Sequence, residues 1–167
     1  MPRPLFDSNI TGAAGEYYVA AEISKRGGIA TLTVKNTPMI DVIATNLKNG
    51  KSANIQVKTM SVNNEQGWKL TEKVENKSAI KNHFYVFVNL KKNELPDYYI
   101  IPFNEFADFI IKKYERWLGQ KDRKENPHKD NNIRNFKPDK GHLPSHKADA
   151  TLGKKYKDKW NVLKIFN

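Results

Sequence analysis

The sequence predicts an α/β fold, a single domain with a central mixed β-sheet flanked by helices and followed by a basic C-terminal extension. Three observations lead there. Stretches with apolar residues at three- and four-residue spacing lie at 11–27 and 104–118, on either side of a block of short apolar and β-branched runs. Asn49-Gly50 separates two of those runs, the strongest short-range signal of a hairpin. From 119 to about 159 the chain is lysine-rich and short of aliphatics, with Pro127, Pro138 and Pro144 along it. At 167 residues the whole fits one domain with a core of ordinary size, divided into 1–118 as core and 119–167 as an extension packed on it.

The elements follow in order. TGAAGEYYVAAEISKRG, 11–27, reads as a helix stopped by Gly27-Gly28, with Ala13, Glu16, Val19, Ala20 and Ile23 on one face. Glu16 among small apolar neighbours is unusual, because a buried carboxylate needs a partner or a metal. The alternative is a glutamate at the edge of the stripe, reaching solvent. IATLTV, 29–34, alternates as a strand does, and Asn36-Thr37-Pro38 reads as a turn. Strands at 39–46 and 52–59 form the hairpin.

Residues 60–82 are polar and read as a loop followed by a short helix, on which Lys69, Lys73, Lys77 and Lys81 would form a basic ridge beside Trp68. HFYVFVNL, 83–90, suits a strand covered on both faces, and DYYIIP, 97–102, makes another. Asn104 is placed to cap a helix running to about Leu118, with Phe106, Ala107, Ile110, Tyr114 and Trp117 as its apolar stripe. The segment 119–159 reads as an extended, partly ordered arm, and the apolar patch Trp160–Phe166 docks back on the core.

Composition narrows the function. The chain has no cysteine, which removes disulfides, thiol catalysis and cysteine-based zinc sites. No leader-like start and no apolar run of ~18 residues is present, so no membrane partner is expected and a cytoplasmic protein is the default. Lys and Arg outnumber Asp and Glu by 29 to 18, a net charge of +11, and the excess is greatest after residue 118. Such a chain favours a polyanion, with nucleic acid the commonest. Trp68 beside Lys69, Lys73 and Lys77 is a candidate nucleic-acid-binding surface, weighed against core packing for the tryptophan and a solvated face for the lysines. The absence of a GxxxxGK[ST] loop disfavours a nucleoside-triphosphate enzyme. His142 and His146, with His128 nearby, lack a fourth ligand for zinc.

The chemistry centres on the hairpin. With Asn49-Gly50 as a two-residue turn, Asp41 faces Lys58 and Ile43 faces Gln56. A two-residue slip puts Asp41 opposite Gln56 and keeps Asp41, Gln56 and Lys58 on one face, with Ile40, Val42, Ile55 and Val57 on the other. Mg²⁺ takes hard oxygen ligands and keeps several waters, so an aspartate, a side-chain amide and a backbone carbonyl suit it, with a lysine nearby for a phosphate or water. Glu16 adds an outer acid if its helix packs over this face. The competing reading is an ordinary cross-strand ion pair between Asp41 and Lys58.

The order Glu16, Asp41, Gln56-Val57-Lys58 resembles the PD-(D/E)XK nuclease superfamily. GEYYVAAEISKRG is similar to the first motif of archaeal Holliday-junction resolvases and group I intron homing endonucleases, IDVIA to their metal-binding strand, and IQVKT to the strand bearing the catalytic lysine. The resemblance covers residues 12–60 and continues to about 102 in element order. It implies a restriction-endonuclease-like core and a Mg²⁺- or Mn²⁺-dependent endonuclease. Catalytic Glu16, Asp41, Gln56 and Lys58 are implied, with Asp41, Gln56 and the Val57 carbonyl on the metal. The implied partners are DNA first, RNA second, and a second copy of the chain if two strands are cut. Gln56 stands where glutamate is usual and removes one negative charge. A catalytically inactive, nucleic-acid-binding member is therefore the alternative, and a protein-interaction domain with a basic arm is a third.

Overall fold

The computed structural model describes residues 8–34, 37–62 and 64–166. The N-terminal residues read for a leader and Asn36 of the expected turn lie outside the described residues. Helix α1 spans Ser8–Lys25, and β1 (Ile29–Leu32), β2 (Val42–Thr45) and β3 (Ser52–Met60) follow it as an antiparallel meander. A short strand, β4 (Trp68–Thr71), leads through a 3₁₀ turn at Glu72–Glu75 to β5 (His83–Asn89), which lies parallel to β3. Strand β6 (Asp97–Pro102) returns antiparallel to β5 and runs into α2 (Phe103–Leu118). Beyond α2 come β7 (Ile133–Phe136) and α3 (Lys147–Tyr156), then a 3₁₀ turn at Trp160–Leu163.

The main sheet is mixed, in the order β1-β2-β3-β5-β6, while β4 and β7 pair as a separate two-stranded sheet. Each face of the main sheet has its own core. On one side Val19 and Ile23 of α1 meet Val42, Ala44, Ile55 and Val57, and Trp160, Leu163 and Ile165 close the layer. On the other, Tyr85, Phe87 and Tyr99 meet Phe103, Phe106 and Ile110 of α2, with Trp68, Phe136 and Tyr156 packed around them. Strand β5 is buried along nearly its whole length because both cores press on it, as its unbroken apolar run requires.

Four expectations are corrected. The hairpin closes through a four-residue loop, Leu47–Gly50, with Asn46 N–H donating to Lys51 O (2.9 Å) and Gly50 at φ +68°. Val42 thus pairs with Ile55, and the register lies two residues from the tight-turn count. Residues 68–71 are a strand because Trp68 and Leu70 alternate inward while Lys69 and Thr71 face out. Period two outweighs the four-residue lysine spacing, and no basic helical ridge forms. Asn104 does not cap α2: its side chain exchanges hydrogen bonds with the Ser78 backbone (2.8 and 3.0 Å). Finally, 119–159 is no extended arm, since β7 and α3 supply Phe136, Leu152 and Tyr156 to a core. The docking of Trp160 and its neighbours is as expected.

Candidate active site

Asp41 sits at a bend just before β2, where Met39 takes a positive φ of 65°. Its backbone is pinned from both sides: Asp41 N–H donates to Ile55 O (2.8 Å), and Asp41 O accepts from Thr33 N–H (3.0 Å). The preceding loop is held by Thr33 Oγ1, which donates to Ile40 O (2.7 Å), and by His83 Nε2, which lies 2.8 Å from Met39 O. His83 is itself fixed by Ser78 Oγ at its Nδ1 and by a stacked Phe103 ring. Held at both ring nitrogens and buried at the start of an interior strand, His83 is a satisfied structural histidine. Nothing in the sequence around Thr33 or Met39 signals their part in placing Asp41, because the contacts are long-range and made largely by backbone.

Beyond Ile55, β3 has no β2 partner, and the Asp41 carboxylate takes over: Oδ2 accepts the Val57 N–H at 2.7 Å. A strand residue turns its N–H and C=O to the same edge, so the Val57 carbonyl also points to the Asp41 side. Along β3, Ala53, Ile55 and Val57 are buried against α1's layer, while Asn54, Gln56 and Lys58 alternate to the other face, half-buried. Extending the β2–β3 register places Asp41 across from Gln56, the slipped arrangement that keeps the polar trio together.

The two charges feel each other. Burial pushes the Asp41 carboxyl above the ordinary aspartate range, while the Val57 N–H and the Lys58 charge pull it back. Burial likewise pushes the Lys58 ammonium below the ordinary lysine range, against the attraction of Asp41. In both, desolvation outweighs the pairing, so the site holds two charges that the fold does not fully compensate. Groups perturbed by desolvation beside a charge partner cluster at functional sites, and structural ion-pair networks perturb them as well. The Lys58 main chain is tied to the second core, since Trp68 Nε1 donates to Lys58 O at 2.9 Å.

Glu16 is half-buried one turn before Val19, on α1, and α1 packs on the face opposite Gln56 and Lys58. The helix therefore does not cover the polar face. It meets β3 near that strand's end, where a Cβ on Gly15 would stand 1.9 Å from Thr59 Oγ1. Any approach of Glu16 to the site is around the part of β3 that β2 leaves open.

The Trp68 surface is not assembled. Trp68 is 4% exposed, enclosed by Phe87, Tyr99 and Phe136, and has no free ring face for a base. Lys69 and Lys73 are exposed on different elements, and Lys77 is paired with Asp108 at 2.8 Å. Among the described residues no group of three His, Cys, Asp or Glu side chains is placed to hold a metal, and no helix is long and apolar enough to cross a membrane. The oxygens that suit a hard cation are instead the second Asp41 carboxylate oxygen, the Gln56 amide and the Val57 carbonyl, a set with one carboxylate. No family model, curated protein or solved structure matches the chain.

Proposed function

We propose that the protein is a metal-dependent nuclease of the PD-(D/E)XK type that hydrolyses phosphodiester bonds in DNA. What supports this reading is the Asp41 carboxylate held on the Val57 N–H at the open edge of β3, with the half-buried Lys58 next along the strand and near enough to interact with it. The order of helix, antiparallel meander and a strand parallel to the third supports it, although β4 and a 3₁₀ turn stand where the superfamily pattern has its second helix.

In this reading Asp41 and the Val57 carbonyl, with the Gln56 amide, hold Mg²⁺ or Mn²⁺. A cation held by these residues would supply Lewis acidity toward a phosphate oxygen and a bound water. The Val57 N–H keeps the Asp41 carboxylate oriented for that work. Lys58, with its ammonium in a partly dry position, orients the attacking water or offsets charge on the phosphate oxygens. Glu16 supplies an outer acid from the edge of β3. The decisive experiment is a cleavage assay screened with Mg²⁺ and Mn²⁺ on linear, supercoiled, single-stranded and branched DNA, with RNA in parallel. Asp41→Ala and Lys58→Ala should each lower the rate by about 10²–10³-fold while the protein stays folded. No cleavage of any substrate, or unchanged cleavage by both variants, would sink the proposal.

A second reading, a non-cleaving nucleic-acid-binding protein, is favoured by the single carboxylate of the set and its use of one oxygen on Val57. It expects steeply salt-dependent binding that survives Asp41→Ala.

A further inference from the structure

The two edges of the main sheet differ. Strand β6 is covered by the chain itself, since Tyr99 bridges to Lys157 and Asp158 N–H donates to Tyr98 O at 2.8 Å. Strand β1, at the opposite edge, pairs only with β2. Because Thr33 N–H donates to Asp41 O, the backbone groups of Ile29, Thr31 and Thr33 turn to β2, and those of Ala30, Leu32 and Val34 turn outward. Thr37 takes the Val34 carbonyl, donating through N–H at 3.0 Å and Oγ1 at 2.6 Å. The N–H and C=O of Ala30 and Leu32 remain, without a hydrogen-bond partner among the described residues.

Edge strands are usually protected from further pairing by a charge, a proline or a bulge. Residues 29–34 hold neither charge nor proline, and β1 pairs with β2 without a break. The surroundings are apolar. Ile29, Leu32 and Val34, together with Ile10 and Tyr17 on the outward side of the helix that packs against β1, are between 38% and 84% exposed. These five side chains expose roughly 500 Å², a large part of the ~800 Å² per partner in a standard interface. Residues 8–24 hold no Lys or Arg, and Lys25 and Arg26 are both paired with Glu22. In a chain of net charge +11 this strand and helix give a polyanion little to bind, and the strand itself presents no like charge to a second copy.

The free groups are their own complement. With a twofold axis at Thr31, Ala30 of each copy faces Leu32 of the other, and each such pair exchanges two hydrogen bonds between groups otherwise unpartnered. Thr31 then faces its counterpart at the close spacing of about 4.5 Å between Cα atoms, and two threonines form a favourable cross-strand pair. We propose that the chain forms a twofold dimer through antiparallel pairing of β1 with β1 of a second copy, which joins the two five-stranded sheets into one. The interface does not rest on cleavage, so Asp41→Ala should dimerise as the parent does.

Sedimentation equilibrium and light scattering on the full chain over about 1–100 μM test this directly. A reversible shift from the 19.2 kDa monomer to twice that mass is expected. Thr31→Lys sets like charges face to face across the axis and should weaken the dimer about tenfold or more. Thr31 is exposed, so this variant should keep the parent's circular dichroism. The chain has no cysteine, and Thr31→Cys therefore supplies a single thiol at a spacing that a disulfide accepts. Diamide should convert it to a covalent dimer, while Leu47→Cys, exposed on the β2–β3 loop, should stay monomeric under the same treatment. A monomer throughout the concentration range overturns the inference. So does a dimer that Thr31→Lys leaves unchanged, one that links through position 47 as fast as through 31, or assembly beyond two copies.

Discussion

Asp41 and Lys58 are both charged groups that burial disfavours, and this gives the candidate site a signature independent of any assay for cleavage. The folded-state pKa of Asp41 lies above the ordinary 3.8, so stability present below that pH is lost as pH rises through the folded-state value. Asp41→Asn keeps an oxygen for the Val57 N–H and has no such loss. In metal-free buffer it should melt above the parent at pH 7, and the gap should close as the pH falls below 3.8. For Lys58 the sign is the mirror image: stability present above 10.5 is lost as pH falls through the lowered value. Lys58→Met should therefore also melt higher at pH 7, while cleavage is lost in both. Thermal melts across pH test the pair; a lower melting point at neutral pH in both variants would mean that the two charges stabilise the fold, as an ordinary ion pair does. Gains in stability coupled to loss of activity are expected where a fold carries strain for function.

Helix α1 and strand β3 are in closest approach at Gly15, where even a methyl group would overlap Thr59. Gly15→Ala should cost about 1–3 kcal/mol of stability through overpacking. Thr59→Ala should restore part of that cost, since it removes a hydroxyl that is buried without a hydrogen-bond partner. Chemical denaturation of the two single variants and the double variant tests the coupling, and simple additivity would refute it. This contact was invisible in the sequence, as was the Asp41 to Val57 bond, because both depend on how two elements dock. What was legible was local. The alternation in Ile29–Leu32 and Ser52–Met60, the apolar run of β5 and the stripe of α2 all reappear as elements, and the trio at 41, 56 and 58 shares a face in either even register. The hairpin register differs by two residues from the one a tight Asn49-Gly50 turn predicts, because Asn46 and Lys51 close a longer loop. Strand β4 is hard to read because its alternation is only four residues long and Lys69 on its outer face belongs to a four-residue lysine spacing that suggests a helix.

At the scale of the whole molecule, the basic C-terminal third is structural as well as charged. Strand β7 completes β4, and Asp149 of α3, 0% exposed, accepts from Lys113 Nζ and from Lys137 N–H, each at 2.7 Å. This ion pair fixes α3 to α2 and to the chain after β7. Asp149→Ala leaves a largely buried ammonium and a backbone N–H without their acceptor and should cost about 3–5 kcal/mol, read from denaturant midpoints. Asp149→Asn should cost less, because an amide oxygen still accepts. If Asp149→Ala melts with the parent, the extension is an appendage and the two-core architecture is wrong. The region read as lysine-rich and partly ordered earns its order from a few residues, Phe136, Leu152, Tyr156 and Asp149, spaced too widely to form a helical or strand period.

The loop between β2 and β3 is anchored by a distant acceptor: Asn46 Nδ2 and Asn49 Nδ2 both donate to Ile165 O, at 2.7 and 3.3 Å. The hairpin carrying Asp41 and Lys58 therefore lacks its final restraint, and one face of its sheet lacks its cover, until residue 165 has been synthesised. Elongation takes on the order of 5–20 s to add the roughly hundred residues between Lys58 and that point. During this interval Val42, Ala44, Ile55 and Val57 have no complete core to enter. Ribosome-bound chains halted before residue 160 should remain sensitive to protease across the hairpin, and the polar trio should become a fixed site only once Ile165 can reach the loop.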